Sequence, residues 1–289
     1  MTALARPEPM RQAGAPKRSR AAIVLYVVLA IGLVLMIAPF VWMVLGSFKD
    51  KGEFLRLPPT WLPEQPTTDN YRRLVDQLDM PRYFFNSIVV ASVVTAGNLI
   101  FAPMLGYALA KLPFAGRGAL TALVLATLML PGAAILVPLF VLMSALGLVN
   151  TYLSLVLPFL AGAFGVFLTR QFFSGLPDEL LEAARMDGAS EFRIFWTIAM
   201  PLAGPVLATL GILTFLGSWN SFIYPLVMAQ EPEMYTLPVA LATFATGQYQ
   251  ADHGMLMAGS LVLILPVLII FVVLQRWITE GIATTGLKG

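Results

Sequence analysis

Six stretches of the chain contain no Asp, Glu, Lys, Arg or His over about 18 residues or more: 22–46, 84–110, 118–146, 152–169, 202–229 and 254–275. A helix needs about 20 mostly apolar residues to cross the hydrocarbon core of a bilayer. The stretches are apolar on all sides instead of alternating with a period of two, which excludes membrane-spanning strands. The pattern therefore predicts an all-α, polytopic membrane protein with six transmembrane helices. The third stretch is long enough to tilt, or to bend at Pro131 or Pro138. Residues 1–21 form a basic, Pro- and Ala-rich tail, and the apolar run after it is too long for the 7–15-residue core of a signal peptide, so it reads as a retained anchor. The expected organisation is a tail over 1–21, a transmembrane domain over 22–276 and a second tail over 277–289.

Composition sharpens this picture. Of 289 residues, 58% are hydrophobic and only 12% are charged, against roughly 25% charged in an average soluble domain. All 18 basic and 16 acidic residues fall outside the six stretches. The absence of cysteine excludes thiolate metal sites and cysteine nucleophiles, and a single histidine excludes a histidine-built metal site. A net charge of +2 gives no reason to expect nucleic acid as a partner. Twelve of the basic residues lie in the tails and the even-numbered connections, which places both termini in the cytoplasm of a bacterial-type inner membrane. Arg72, Arg73 and Arg82, between the first two stretches, run against that trend.

Ion-coupled carriers place ionisable groups inside the bundle to relay charge, and these stretches hold none. If a solute moves, the energy arrives from outside the membrane. The fifth stretch carries Ser218, Trp219, Asn220, Ser221 and Tyr224 amid aliphatic residues. Hydroxyls and amides beside aromatic faces suit a neutral polyhydroxyl ligand, and the same groups equally serve to bond neighbouring helices. Asn98 in the second stretch is open to both readings.

The longest cytoplasmic connection, over 174–201, reads SGLPDELLEAARMDGASEFRIFWTIAMP. Pro177 suits the first position of a helix, and Asp178 and Glu179 complement its dipole. Leu180, Leu181, Ala184 and Met186 give it apolar positions, Gly188 ends it, Ser190 caps a second helix and Pro201 stops that one. Five acids against three basic residues, counting Arg170 just before this segment, favour docking into a protein groove over lying on lipid headgroups.

The run EAARMDGAS, followed by IAMP, resembles the EAA loop of ABC-importer permeases, with Glu182, Ala183, Ala184, Gly188, Ile198 and Pro201 in matching places and Met200 replacing the usual Leu. PPTWLPEQPTTDNYRRL, Asn86-Ser87, LGLVNTYLSLVLP, SWNSF, YTLPVAL and GLKG resemble the carbohydrate-importing branch, in particular the second, maltose-type permease subunit. Ser221 stands where that branch frequently has Glu, and Glu280 stands near a tail position that is often basic. The resemblance implies a type I importer fold and a coupling helix whose Glu182, Ala183, Ala184, Asp187, Gly188 and Ala189 meet a cytoplasmic ATPase. It also implies two ATPase subunits, a second permease subunit and an external sugar-binding protein that docks on residues 230–253. The tail 286–289 would be a second ATPase contact. No cofactor is implied, and the lack of a GxxxxGK[ST] run leaves nucleotide binding to a partner. A permease for a polyamine or a glycerol phosphate ester, and a channel or membrane scaffold, are the alternatives.

Overall fold

A computed structural model describes residues 20–56, 58–246 and 252–286. The tail over 1–19 and residues 287–289 of the second proposed ATPase contact therefore lie outside the described residues. The helices are α1 (Arg20–Ser47), α2 (Asp69–Gln77), α3 (Met80–Lys111), α4 (Arg117–Met129), α5 (Gly132–Ala145), α6 (Tyr152–Val156), α7 (Ala163–Ser174), α8 (Asp178–Met186), α9 (Glu191–Leu202), α10 (Gly204–Trp219), α11 (Ile223–Met228), α12 (Leu237–Thr246) and α13 (His253–Gly286). No strand occurs among the described residues.

The six apolar stretches do not become six straight rods. Four of them supply spans long and apolar enough to cross alone: Ala22–Ser47, Met80–Lys111, Tyr152–Ser174 and His253–Val273. The third stretch bends by 106° between α4 and α5. The bend falls at Pro131, whose ring disfavours the helical conformation at Leu130; both residues are extended. Pro138, the other candidate, sits inside α5 without breaking it. α9 and α10 meet at 80°, with Pro205 in the first turn of α10. The expectation that Pro201 ends the second loop helix needs correction. α9 opens as an α-turn at Ser190, widens into a π-turn over Phe195–Ala199, where the Met200 N–H reaches back to Phe195 O, and closes at Leu202. Widening the turn accommodates Pro201, which has no N–H to donate.

α3 is the central element, packed along α7 and α10. At Gly106 a Cβ would stand 2.3 Å from Thr169 Oγ1 and 2.8 Å from the Arg170 backbone nitrogen, so the α3–α7 backbones approach this closely only because that position has no side chain. Two turns away on α3, Asn98 is buried and closes the helix break after α6. Its Nδ2 donates to Phe159 O, and its Oδ1 accepts from Gly162 N–H at 2.9 Å. The ambiguity over this residue resolves toward interhelical bonding, because its amide is used by a neighbouring backbone. Replacing Asn98 by Leu is expected to leave the Gly162 N–H without that partner at membrane depth, at about 1–3 kcal/mol for an orphaned buried group. A drop in the thermal midpoint of the detergent-solubilised protein checks this, and an unchanged midpoint contradicts it.

Two of the three arginines that broke the charge trend are occupied. Arg73 pairs with the buried Asp252 and with Asn70, and Arg82 Nε donates to Glu233 O at 2.9 Å. Asp252 also receives the Met255 N–H at 3.2 Å, in the first turn of α13. It is thus withdrawn from the acidic docking surface expected over 230–253, leaving Glu231 and Glu233 exposed. That segment is also more ordered than a loop: α12 packs on α3 and α13, with Leu237, Val239, Ala240 and Leu241 buried. Residues 247–251 lie outside the described residues.

Candidate functional site: a broken-helix cavity and a docked loop helix

Two interrupted spans face each other in the bundle. After α6 the chain passes through a 3₁₀ turn at Leu157–Phe159 before α7, and after α10 it breaks at 220–222 before α11. Irregular backbone at membrane depth is tolerated where it is buried in protein or lines a cavity. Here a cavity of about 240 Å³ lies between the breaks, lined by Asn98, Phe159, Ser218, Ser221 and Tyr224 among others. Among the described residues, no carboxylate, amine, imidazole or guanidinium is in its wall. Tyr224 packs edge-on against Phe159 at 4.8 Å, and its hydroxyl donates to Ser154 O at 2.8 Å.

Of the five residues expected together, three meet at this cavity: Ser218, Ser221 and Tyr224. Trp219 does not. It is 1% exposed, its Nε1 donates to Leu263 O of α13 at 3.0 Å, and its ring stacks on Phe215 and meets Phe84 edge-on. Asn220 is exposed and turned back on its own helix, where Nδ2 donates to Leu216 O at 2.9 Å. Adjacent residues on a helix point about 100° apart, so a run of four polar positions cannot share one face. The cavity also uses Thr214, Gly162 and Gly165. Their only sequence signal is a set of small residues within apolar stretches.

The loop helix is built by local rules. α8 carries Asp178 and Glu179 in its first turn. It ends in a complete Schellman pair: Ala189 N–H to Ala184 O at 3.0 Å and Gly188 N–H to Arg185 O at 3.0 Å, with Gly188 at φ 79°. Ser190 then caps α9 by accepting from Arg193 N–H. The apolar positions of α8 divide between two faces. Leu181 is 1% exposed in a pocket of Tyr107, Phe173, Ile194 and Phe195, whereas Leu180 is exposed and Met186 is 88% exposed. The single apolar stripe expected from the sequence is therefore split, one part anchoring the helix and the other left free.

Ion pairs reinforce the anchor. Lys111, at the end of α3, donates to Asp178 at 2.6 Å and to Leu176 O at 2.7 Å. Arg185 holds Glu191 with two N–H donors, at 2.6 and 3.3 Å, and Tyr107 Oη donates to the same carboxylate at 3.3 Å. The Lys111 hydrogen bond keeps the Asp178 carboxyl below its usual range, and the Arg185 hydrogen bond does the same for Glu191 against a smaller opposing effect of burial. Both are charged at neutral pH. Glu182, Ala183, Asp187 and Gly188 are exposed, and Ala184 and Ala189 are half-buried. Glu182 borders a polar cleft of about 760 Å³ with Lys111, Arg117 and Arg185.

Comparison with known proteins agrees with this architecture. Residues 102–283 match the family model for the binding-protein-dependent transport system inner membrane component. The arabinooligosaccharides transport system permease protein AraQ of Halalkalibacterium halodurans is 40% identical over 254 residues, covering 87% of this chain and 91% of that protein. The lactose transport system permease protein LacG of Rhizobium radiobacter is 34% identical over 259 residues, covering 90% and 94%. A crystal structure of a bacterial ABC transporter involved in the import of the acidic polysaccharide alginate contains a chain that superposes with a TM-score of 0.79 at 26% identity, covering 91% of this chain and 99% of that one. With a family model covering more than half its length, this chain belongs to the binding-protein-dependent transport system inner membrane components, as a multi-pass permease and not an enzyme.

Proposed function

We propose that the chain is the subunit through which a neutral sugar, a mono- or oligosaccharide handed over by an external binding protein, crosses the inner membrane, driven by a separate ATPase that docks on α8. The observation that carries this reading is the charge-free cavity between two broken spans, a largely apolar wall that includes Val90 and Leu155 and sets the Ser218 and Ser221 hydroxyls beside the Phe159 and Tyr224 rings. A polyamine would call for carboxylates there, and a phosphate ester or an acidic polysaccharide for cations. The names of the relatives, which transport arabinooligosaccharides and lactose, agree with a neutral saccharide.

At about 240 Å³ the cavity is smaller than the roughly 300–1,000 Å³ of a complete ligand pocket. It forms one wall of a path that a second, different permease subunit completes. The exposed face of α8 receives the ATPase, with Glu182 and Asp187 as its charged contacts and Ala183 permitting close approach. Both termini lie in the cytoplasm, on the side where basic residues concentrate.

Replacing Ser218 and Ser221 together by Leu tests the path. Uptake of labelled arabinooligosaccharide or lactose is expected to fall about tenfold or more, a loss of about 1.4 kcal/mol, while membrane abundance and ATP hydrolysis persist. Undiminished uptake of every sugar the wild-type transporter accepts would move the path elsewhere.

A further inference from the structure

The connection between α1 and α2 holds two exposed apolar residues at its tip, Trp61 at 62% and Leu62 at 69% exposure. Through Trp42 the tip continues the unburied apolar surface of α1, and a contiguous apolar surface of that size marks a site that something covers. The loop beneath it is fixed by charges that are themselves buried. Lys49 is almost fully enclosed, and its ammonium donates to the carbonyl and the hydroxyl of Thr60, the residue before Trp61. Glu53, also buried, lies 3.6 Å from that ammonium, accepts from the Thr60 hydroxyl and receives the Glu64 N–H at 3.2 Å on the other side of the tip. Burying an ion pair carries a desolvation cost that is offset only by further hydrogen bonds, and here those bonds all go to the residues flanking Trp61 and Leu62. The tip is thus held in one orientation.

That orientation is toward the side of α1. The Trp61 ring meets Trp42 edge-on at 4.9 Å. The apolar window of α1 has none of its residues buried. From Ala22 to Trp42 a helix rises about 30 Å, the thickness of the hydrocarbon core, so Trp42 and Trp61 fall at its far boundary. Tryptophan pairs at that depth, with one apolar and one wet edge, are the composition of a membrane interface. Beyond the tip the surface turns polar at once: Arg56 and Glu64 form an exposed ion pair on the water side.

The geometry points to a lipid-seated anchor: the Trp61–Leu62 tip inserts into the headgroup–acyl boundary beside the C-terminal end of α1, and the buried Lys49–Glu53–Thr60 clamp sets its depth. The same loop is tied to the bundle through Asn70, whose Nδ2 donates to Ser47 O and Lys49 O, and through the Arg73 to Asp252 pair at the start of α13. The anchor therefore fixes the ends of α1 and α13 relative to the bilayer surface while the rest of the bundle moves.

The chain has no cysteine, so Leu62→Cys and Gln65→Cys each give it a single site for a nitroxide label, attached to this chain before it is assembled with its partner subunits and reconstituted into bilayers. Collision with oxygen, which partitions into lipid, and with a water-soluble nickel chelate, reports the surroundings. The expected result is an oxygen-to-nickel accessibility ratio several-fold higher at position 62 than at 65. A label at 62 that collides mainly with nickel overturns the anchor, and one shielded from both reagents means that a protein partner covers the tip, which overturns it equally. If the labelled variant does not accumulate, brominated-lipid quenching of tryptophan fluorescence decides instead. Trp61→Phe is expected to reduce the quenchable fraction, and an unchanged fraction counts against the anchor.

Discussion

Gly188→Val is expected to abolish sugar uptake while the permease remains at wild-type abundance in the membrane. The reason is conformational and not steric, because a Cβ at this position meets nothing within 4 Å and the φ of 79° is left-handed. A β-branched residue resists that conformation at roughly 1–2 kcal/mol or more. The turn can relieve this only by giving up the Schellman bonds from Gly188 and Ala189, which set the direction in which the chain leaves α8. A graded series separates this cause from a contact with the ATPase. Asn tolerates the left-handed region, so Gly188→Asn should retain most activity, Gly188→Ala should be intermediate, and Val should be lowest. Uptake assays on the three variants in parallel check the order. If Asn is as damaging as Val, the glycine is needed for space against a partner and not for its φ.

The second large effect is expected at Leu181. A nine-residue helix has almost no stability of its own in water, so α8 depends on what it packs against. Leu181→Ala removes the side chain that fills the pocket of Tyr107, Phe173, Ile194 and Phe195, at about 2–5 kcal/mol for a fully buried leucine. The Arg185–Glu191 pair is a surface interaction worth at most about 1 kcal/mol, and the Lys111–Asp178 pair, whose carboxylate is exposed although the lysine side chain is enclosed, does not fill the pocket that the leucine leaves. α8 should therefore detach from the end of α3, so that the unwound segment around the already exposed Arg185 becomes cleavable by trypsin, and uptake should fall more than tenfold while the spans stay folded. Met186→Ala is the contrasting variant: its side chain is exposed, so protease resistance should be unchanged and only ATPase association should weaken. Equal protease resistance in the Leu181→Ala and wild-type proteins would show that the anchor lies elsewhere.

Both effects concern a segment whose local conformation is legible in its residues. Pro177, the two acids after it, Gly188 and Ser190 act on the backbone within a few positions, and the helix, turn and cap appear where those local rules place them, except that Pro177 is the extended residue just before the helix and not its first position. Periodicity is less informative about which face does what. Leu180 and Leu181 both read as apolar positions, yet one is enclosed and the other free, because the partner pocket is assembled from α3, α7 and α9, far apart in sequence. The same limit governs SWNSFIY. Its polarity marks a special place in the fifth span, but Ser218 and Ser221 reach the cavity while Trp219 turns into the core, and only the break at 220–222 and the opposing break after α6 decide that.

The sequence by itself determined that the chain spans a membrane, that its helices carry no charge at depth and that one loop holds a helix, a glycine turn and a second helix. These follow from burial preferences and short-range sterics, which act residue by residue. Tertiary structure decided that the third stretch bends at Pro131 and not at Pro138, that the loop helix α9 meets the fifth span at 80° near Pro205, and that the outlying arginines Arg73 and Arg82 are consumed by Asp252 and Glu233. It also decided that Lys49 and Glu53 are buried beneath an exposed Trp61. Each of these depends on what lies opposite in space, since a charge or a bend is tolerated only where a particular partner satisfies it.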